Sequence, residues 1–196
     1  MNYFFILSLG RSGTKFLSNL FNTNKNLICL HEPNKVDDYI NLPLSYYYPN
    51  SSILHDSLTN RFNLIKNTYK SDSEIEAYGE VNSLLRYNAE WLKRNLNAKI
   101  VSIARDPKKV IRSIYLRNVY IDHKGSHMPI MPKNEDPYVN EWVHMNRFER
   151  ICWYWKHTNQ HLIRYNFPIY KFERLIDNYD TFLGLIEQLG ISNIDK

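Results

Sequence analysis

From Tyr3 to Leu9 the chain reads YFFILSL, seven residues with no polar face. A strand with one side in water alternates polar and apolar side chains, so this run predicts a strand buried on both faces, the habit of parallel sheets. Leu27 to Leu30 and Ala77 to Val81 are further strand candidates, and Lys99 to Ala104 is the clearest. Helical patterns fall between them. Lys15 to Asn22 predicts a helix burying Phe16, Leu17, Leu20 and Phe21, and Leu85, Ala89, Leu92 and Leu96 share one stripe of another. Asp106 and Pro107 suit the N-cap and first position of a helix running to about Asn118. Another helix, near His144 to Tyr165, carries Phe148, Ile151, Cys152, Trp155, Leu162 and Ile163. Pro168 to Phe172 reads as a last strand, and Asp180 to Leu189 as a last helix stopped by Gly190. Strands alternating with helices predict an α/β fold, a three-layer sandwich around a mainly parallel central sheet, with ligands at the carboxyl ends of the strands.

The 196 residues, 43% of them hydrophobic and 23% charged, suit one domain over 1–196, which would bury about 70% of its unfolded surface. Two cysteines exclude a disulfide scaffold; Cys29 in an apolar run and Cys152 among tryptophans predict reduced thiols and a cytoplasmic setting. The apolar runs are too short to span a bilayer, and Met1-Asn2-Tyr3 does not resemble a secretory signal. Two proline-bearing, tyrosine-bearing stretches break the alternation, 34–73 and 121–141, and are expected to be irregular insertions that wall a substrate cleft.

Charge is uneven along the chain. Residues 91–124 hold nine Lys or Arg against two Asp, within a net charge of +5, which points to an anionic partner such as phosphate. Two constellations give that partner a place. Gly10-Arg11-Ser12-Gly13-Thr14-Lys15 sits between the first strand and first helix, where a glycine-rich turn aims backbone N–H groups and the positive helix end at one point. Its spacing does not match the G-x-x-x-x-G-K-[ST] loop of nucleotide hydrolases. Arg105, just past the clearest strand, and Ser113, two turns into the following helix, can grip a second, separate phosphate.

The strings FFILSLGRSGTKFLSNLF and KIVSIARDPKKVIRSIYLR resemble the 5′-phosphosulfate loop and the 3′-phosphate motif of sulfotransferases. HEPNK and PIYKFERLID are similar to further features of that family. The resemblance implies a P-loop NTPase-like sulfotransferase fold and an enzyme that takes a sulfuryl group from 3′-phosphoadenosine 5′-phosphosulfate (PAPS) to a hydroxyl, or an amine, of an acceptor. It implies that Arg11, Ser12, Gly13, Thr14 and Lys15 hold the 5′-phosphosulfate, and Arg105 with Ser113 the 3′-phosphate. Many members carry Thr where this chain has Lys15. Arg11 would meet charge developing on the bridging oxygen, and no metal is implied.

A base must take the acceptor's proton, and Glu32, Glu80 and His31 are the candidates, Glu32 first because it follows the second strand directly. Asn82 is placed to orient the acceptor. His157 and His161, four apart on a helix, lack the third ligand of a metal site. Trp153, Tyr154 and Trp155 read as core, and Lys171 to Leu175 as structural. Two rivals remain open: a P-loop kinase, which would need magnesium, and a non-catalytic polyanion-binding protein using the 91–124 patch. No nucleic-acid motif or membrane segment is expected; the acceptor is a small molecule, glycan, lipid or peptide that the sequence does not select.

Overall fold

A computed structural model describes residues 1–70, 72, 74–121 and 130–191. Five strands, β1 (Asn2–Ser8), β2 (Leu27–His31), β3 (Ala77–Asn82), β4 (Lys99–Ala104) and β5 (Ile169–Lys171), form one sheet in the order β2-β3-β1-β4-β5. All pairings are parallel. β1 is central because both its faces are apolar. Phe4 and Ile6 pack on one side with Leu17 and Phe21 of α1 (Thr14–Phe21), Phe172 and Leu175 of α7 (Phe172–Asp177), and Leu185 of α8 (Tyr179–Gln188). Phe5 and Leu7 pack on the other with Leu54, Leu58 and Phe62 of α3 (Ser52–Thr68), Leu92 of α4 (Ala89–Leu96) and Leu162 of α6 (Arg147–Arg164). The predicted three-layer α/β sandwich is thus the observed one.

The stretch 34–73 is not irregular. It holds α2 (Lys35–Tyr47) and α3, with Pro43 inside α2. Proline and clustered tyrosines disguised a helix whose buried side carries Leu42 and Tyr46. These residues join Val110 and Ile114 of α5 (Pro107–Tyr115) and Ile151, Trp153 and Tyr154 of α6 in a third apolar cluster. In the second stretch, residues 130–141 follow turns, and the calls at 122–129 lie outside the described residues. Tyr47 stitches the two stretches together: its hydroxyl accepts from the Met131 N–H at 2.8 Å and donates to the Met131 carbonyl at 3.3 Å.

Other boundaries shift for local reasons. α1 begins at Thr14, so Thr14, Leu17, Ser18 and Phe21 form its buried stripe, while Phe16 and Leu20, expected inside, are exposed. α6 begins at a capping box, Asn146 with Glu149, and turns Trp153 and Tyr154 inward, which leaves Phe148 and Ile163 exposed. β5 ends at Lys171, and Phe172 opens α7. The Asp106 cap is as expected: its side chain accepts from the N–H groups of Lys108 and Lys109, with Pro107 at the first position.

Gly79 on β3 lies under the Phe4 ring. A Cβ there would sit 2.1 Å from the nearest ring carbon, so no side chain fits without moving the ring. Gly79→Ala should therefore lower stability by about 1–3 kcal/mol. Urea unfolding checks this, and Phe4→Leu in the same chain should recover part of the loss, since it clears the contact.

Candidate functional site

The carboxyl edge of the sheet collects the residues singled out above. β1 feeds a turn in which Arg11 (φ +76°) and Gly13 (φ +91°) both adopt left-handed backbone. Gly13 is required on two counts: its φ, and the ring of Phe172, which would lie 2.0 Å from an added Cβ. It caps α1 without a side-chain acceptor, and no acidic residue occupies the first turn, so that helix end is open to an anion. Ser12 and Thr14 are buried in the turn, while Arg11 and Lys15 reach solvent.

The two predicted anion sites meet. Arg105, one residue past β4, donates through Nη1 to the Arg11 carbonyl at 2.9 Å. Arg11 in turn donates through Nε to Ser113 Oγ on α5, also at 2.9 Å. The Arg105 guanidinium lies 5.0 Å over the Phe172 ring, with Glu173 Oε1 3.9 Å from its Nε. Glu173 also accepts from the Asp106 N–H at 3.3 Å. The segment assigned a purely structural role, Lys171 to Leu175, therefore floors both turns. Of the basic stretch, Lys108, Lys109 and Arg112 lie on α5 beside this site. Lys93 and Arg94 lie on α4, over Phe167 and beside Glu90, and Lys124 lies outside the described residues.

The three candidate bases have different surroundings. Glu32, just past β2, is held in left-handed backbone (φ +45°), and its Oε1 accepts from Ser83 Oγ at 2.5 Å. Ser83 Oγ stands 3.5 Å from where a Gly10 side chain would begin, which puts Glu32 beside the turn. His31 Nε2 is hydrogen-bonded to Thr14 Oγ1 at 2.8 Å.

Glu80 does not face the cleft. It lies two residues short of the end of β3, fully buried, with both oxygens 2.6 Å from Arg61 Nη2. The Tyr78 hydroxyl and Asn82 Nδ2 each donate to it at 2.9 Å. Arg61 also pairs with Asp38 of α2, and Asn82 Nδ2 reaches Asp38 Oδ2 at 2.8 Å. Both carboxylate oxygens are thus engaged within the protein, and Asn82, itself buried, accepts from the N–H groups of Leu84 and Leu85 and shapes the chain after β3. Asp38, Arg61, Ser83 and Phe172 were not foreseen; the first two are 23 residues apart on separate helices, a relation no local spacing signals.

Burial also places the thiols. Cys29 is buried with its thiol pushed well up by desolvation, and half-buried Cys152 is raised for the same reason. Among the described residues, no three His, Cys, Asp or Glu stand together as a metal site, and no helix is long and apolar enough to cross a membrane.

Comparison with known proteins adds a family to this geometry. The sequence model described as "Sulfotransferase domain" matches residues 2–188. Two solved structures share the fold. One, the "Sulfotransferase Domain from the Curacin Biosynthetic Pathway", is 15% identical with a TM-score of 0.59, covering 98% of this chain and 75% of that one. The other, a sulfotransferase from Alicyclobacillus acidocaldarius, is 15% identical with a TM-score of 0.54, covering 98% of this chain and 82% of that one. No curated protein sequence matches the chain.

The buried cluster behind the site has a pH signature. Desolvation raises the Asp38 carboxyl to about 6 from an ordinary 3.8, although Arg61 and Asn82 pull it down. The folded protein then holds that proton more tightly than the unfolded chain, so the Asp38 contribution to stability is greatest at about pH 4 and below and declines as pH rises to about 6. Asp38→Asn should flatten this part of the profile. Urea midpoints between pH 4 and 7 measure it, and identical slopes in the two proteins would refute it.

Proposed function

This chain belongs to the sulfotransferase family, and we propose that it transfers a sulfuryl group from PAPS to a hydroxyl of its acceptor by in-line displacement. The observation that carries the donor assignment is the pair of hydrogen bonds from Arg105 to the Arg11 carbonyl and from Arg11 to Ser113. A donor with phosphate groups at both ends of one ribose needs two anion sites at a set separation, and these bonds lock two such turns together. The Gly13 turn, with the open end of α1, Thr14 and Lys15, fits the 5′-phosphosulfate, and Arg105 with Ser113 fits the 3′-phosphate.

Chemistry follows from charge placement. Sulfuryl transfer, by analogy with phosphoryl transfer, needs alignment and neutralisation of the leaving oxygen more than covalent help. Arg11, exposed at the mouth of the turn and tethered by Ser113, is the cation placed to meet that charge.

The base is Glu32. Ser83 engages its Oε1, which holds the carboxylate beside the turn, and Oε2 is left as the oxygen that takes the acceptor's proton. His31 is engaged through Nε2 with Thr14, and Glu80 is walled in by Arg61, whereas Glu32 stands beside the turn with one oxygen uncommitted to Ser83, which favours Glu32. His31 instead braces Thr14 from the β2 side. The acceptor enters from the side of Glu32, since β4 and α5 occupy the other flank of the turn.

Calorimetry with 3′-phosphoadenosine 5′-phosphate tests the donor site. Saturable binding is expected in the wild-type protein, and Arg105→Ala should weaken it by at least tenfold, the order of one charge-assisted hydrogen bond. Arg11→Ala should abolish turnover. Glu32→Gln should abolish turnover while leaving donor-product binding within about twofold, because the amide keeps the Ser83 contact. Activity in EDTA separates this reading from a kinase, which would lose turnover with its magnesium. Absence of nucleotide binding would refute the donor assignment, and a fully active Gln variant would remove Glu32 from the mechanism.

A further inference from the structure

Away from the carboxyl edge, a groove of about 890 Å³ opens between the end of α2, the start of α4, the 133–138 turns and the second half of α6. Its lining includes none of the residues of the turn after β1, nor Glu32, Ser83, Arg105 or Ser113. The His157 and His161 pair, which the transfer chemistry does not use, faces into it. We infer that this groove is a second binding site, for a neutral saccharide, distinct from the transfer edge; the inference does not rest on the donor assignment.

Three features select that ligand class. The first is aromatic composition: six Tyr or Trp side chains line the groove, a lining that suits the apolar C–H patches of sugars. The second is charge. Four Lys or Arg and three Asp or Glu line the groove, a near balance that gives an anion little reason to prefer it. Several of these charges are already committed, Lys133 over the Tyr46 ring at 4.5 Å and Lys156 over Tyr138 at 5.0 Å. Burial also keeps the histidines uncharged, His161 being pushed down to about 3 and His157 lowered, so they add no cation at neutral pH.

The third feature is unmet hydrogen bonding. The Tyr46 hydroxyl and His157 Nε2 are both buried and, among the described residues, both without a hydrogen-bond partner. Their rings lie 5.3 Å apart and nearly perpendicular. Asp136 Oδ2, which accepts from Trp153 Nε1 at 3.0 Å, stands 3.5 Å from His157 Nδ1. That places the imidazole proton on Nδ1 and leaves Nε2 as an acceptor, while the Tyr46 hydroxyl donates. An acceptor and a donor on two packed rings suit the hydroxyls of a sugar, which both accept and donate. Leaving two such groups unpaired is costly in a protein interior, and a ligand that satisfies both removes the cost. Lys133, on a turn above Tyr46, is the side chain a ligand displaces to reach them.

Saturation-transfer NMR and calorimetry with maltotriose, cellotriose and tri-N-acetylchitotriose test this, on the wild-type protein, Tyr46→Phe and His157→Phe, alongside thermal melting. At least one sugar should bind saturably, and each variant should weaken it about tenfold, one neutral hydrogen bond's worth. Tyr46→Phe should melt no lower than wild type, because its hydroxyl gives up no protein partner. If no sugar binds, or the variants bind as tightly as wild type, the inference fails. A Tyr46→Phe variant that melts lower, with no sugar bound by wild type, would mean that internal water alone occupies the two polar atoms, which equally refutes it.

Discussion

The Arg11 carbonyl is the hinge on which the site depends. Arg11 is held in left-handed backbone at φ +76°, and its carbonyl accepts from Arg105, one residue past β4. Left-handed backbone at a long side chain is unfavourable by itself, on the order of 1–2 kcal/mol, and persists where surrounding contacts overdetermine it. Here the contacts are Arg105 below and Ser113 at the side-chain end. One residue thus ties the turn after β1 to both the strand end and the helix of the neighbouring crossover, so the two turns keep their separation before any ligand arrives. Preorganisation of this kind spares a doubly charged ligand the cost of assembling its own site.

Behind that edge lies a polar interior. Asp38, Arg61, Glu80 and Asn82 form a buried network with two carboxylates and one guanidinium, and burial leaves the second carboxylate only partly compensated. Such networks add less to net stability than their short distances suggest, because desolvation of each charge offsets the attraction. What this one does is fix geometry. It holds α2 and α3 to β3, and through Asn82 it sets the chain after β3, where Ser83 reaches Glu32. Arg86, buried one turn further, donates to the Ser83 carbonyl and to the Tyr154 hydroxyl and so pins the same segment to α6. The candidate base is therefore positioned by a largely buried charge network.

The sheet was legible in the sequence because β1 and β4 are buried on both faces, which leaves continuous apolar runs that no other element explains. The turns after β1 and β4 were legible because glycine spacing, an N-cap aspartate and Pro107 are local signals. Three things were not. α2 was hidden by Pro43, which α2 accommodates in its interior. The buried side of α6 was legible at Trp153 and Tyr154 but not at Phe148 and Ile163, which periodicity placed inside and which the structure leaves exposed. The enclosure of Glu80 was not legible because its partner Arg61 comes from a distant helix. Each miss is a case of tertiary packing deciding between locally equivalent options.

Phe172 shows how closely the fold and the site are interlocked. Its ring closes the space beside Gly13, lies under the Arg105 guanidinium, and meets Phe16 edge-on at 6.0 Å. The same residue belongs to the apolar cluster that includes Phe4, Ile6 and Leu17. An aromatic ring in that position replaces water beneath both cationic turns, which lowers the local dielectric and strengthens their pull on an anion without adding charge. It also explains why α7 must start where β5 stops: a strand continued through Phe172 would turn the ring away from the turn after β1, and the turn would lose its floor.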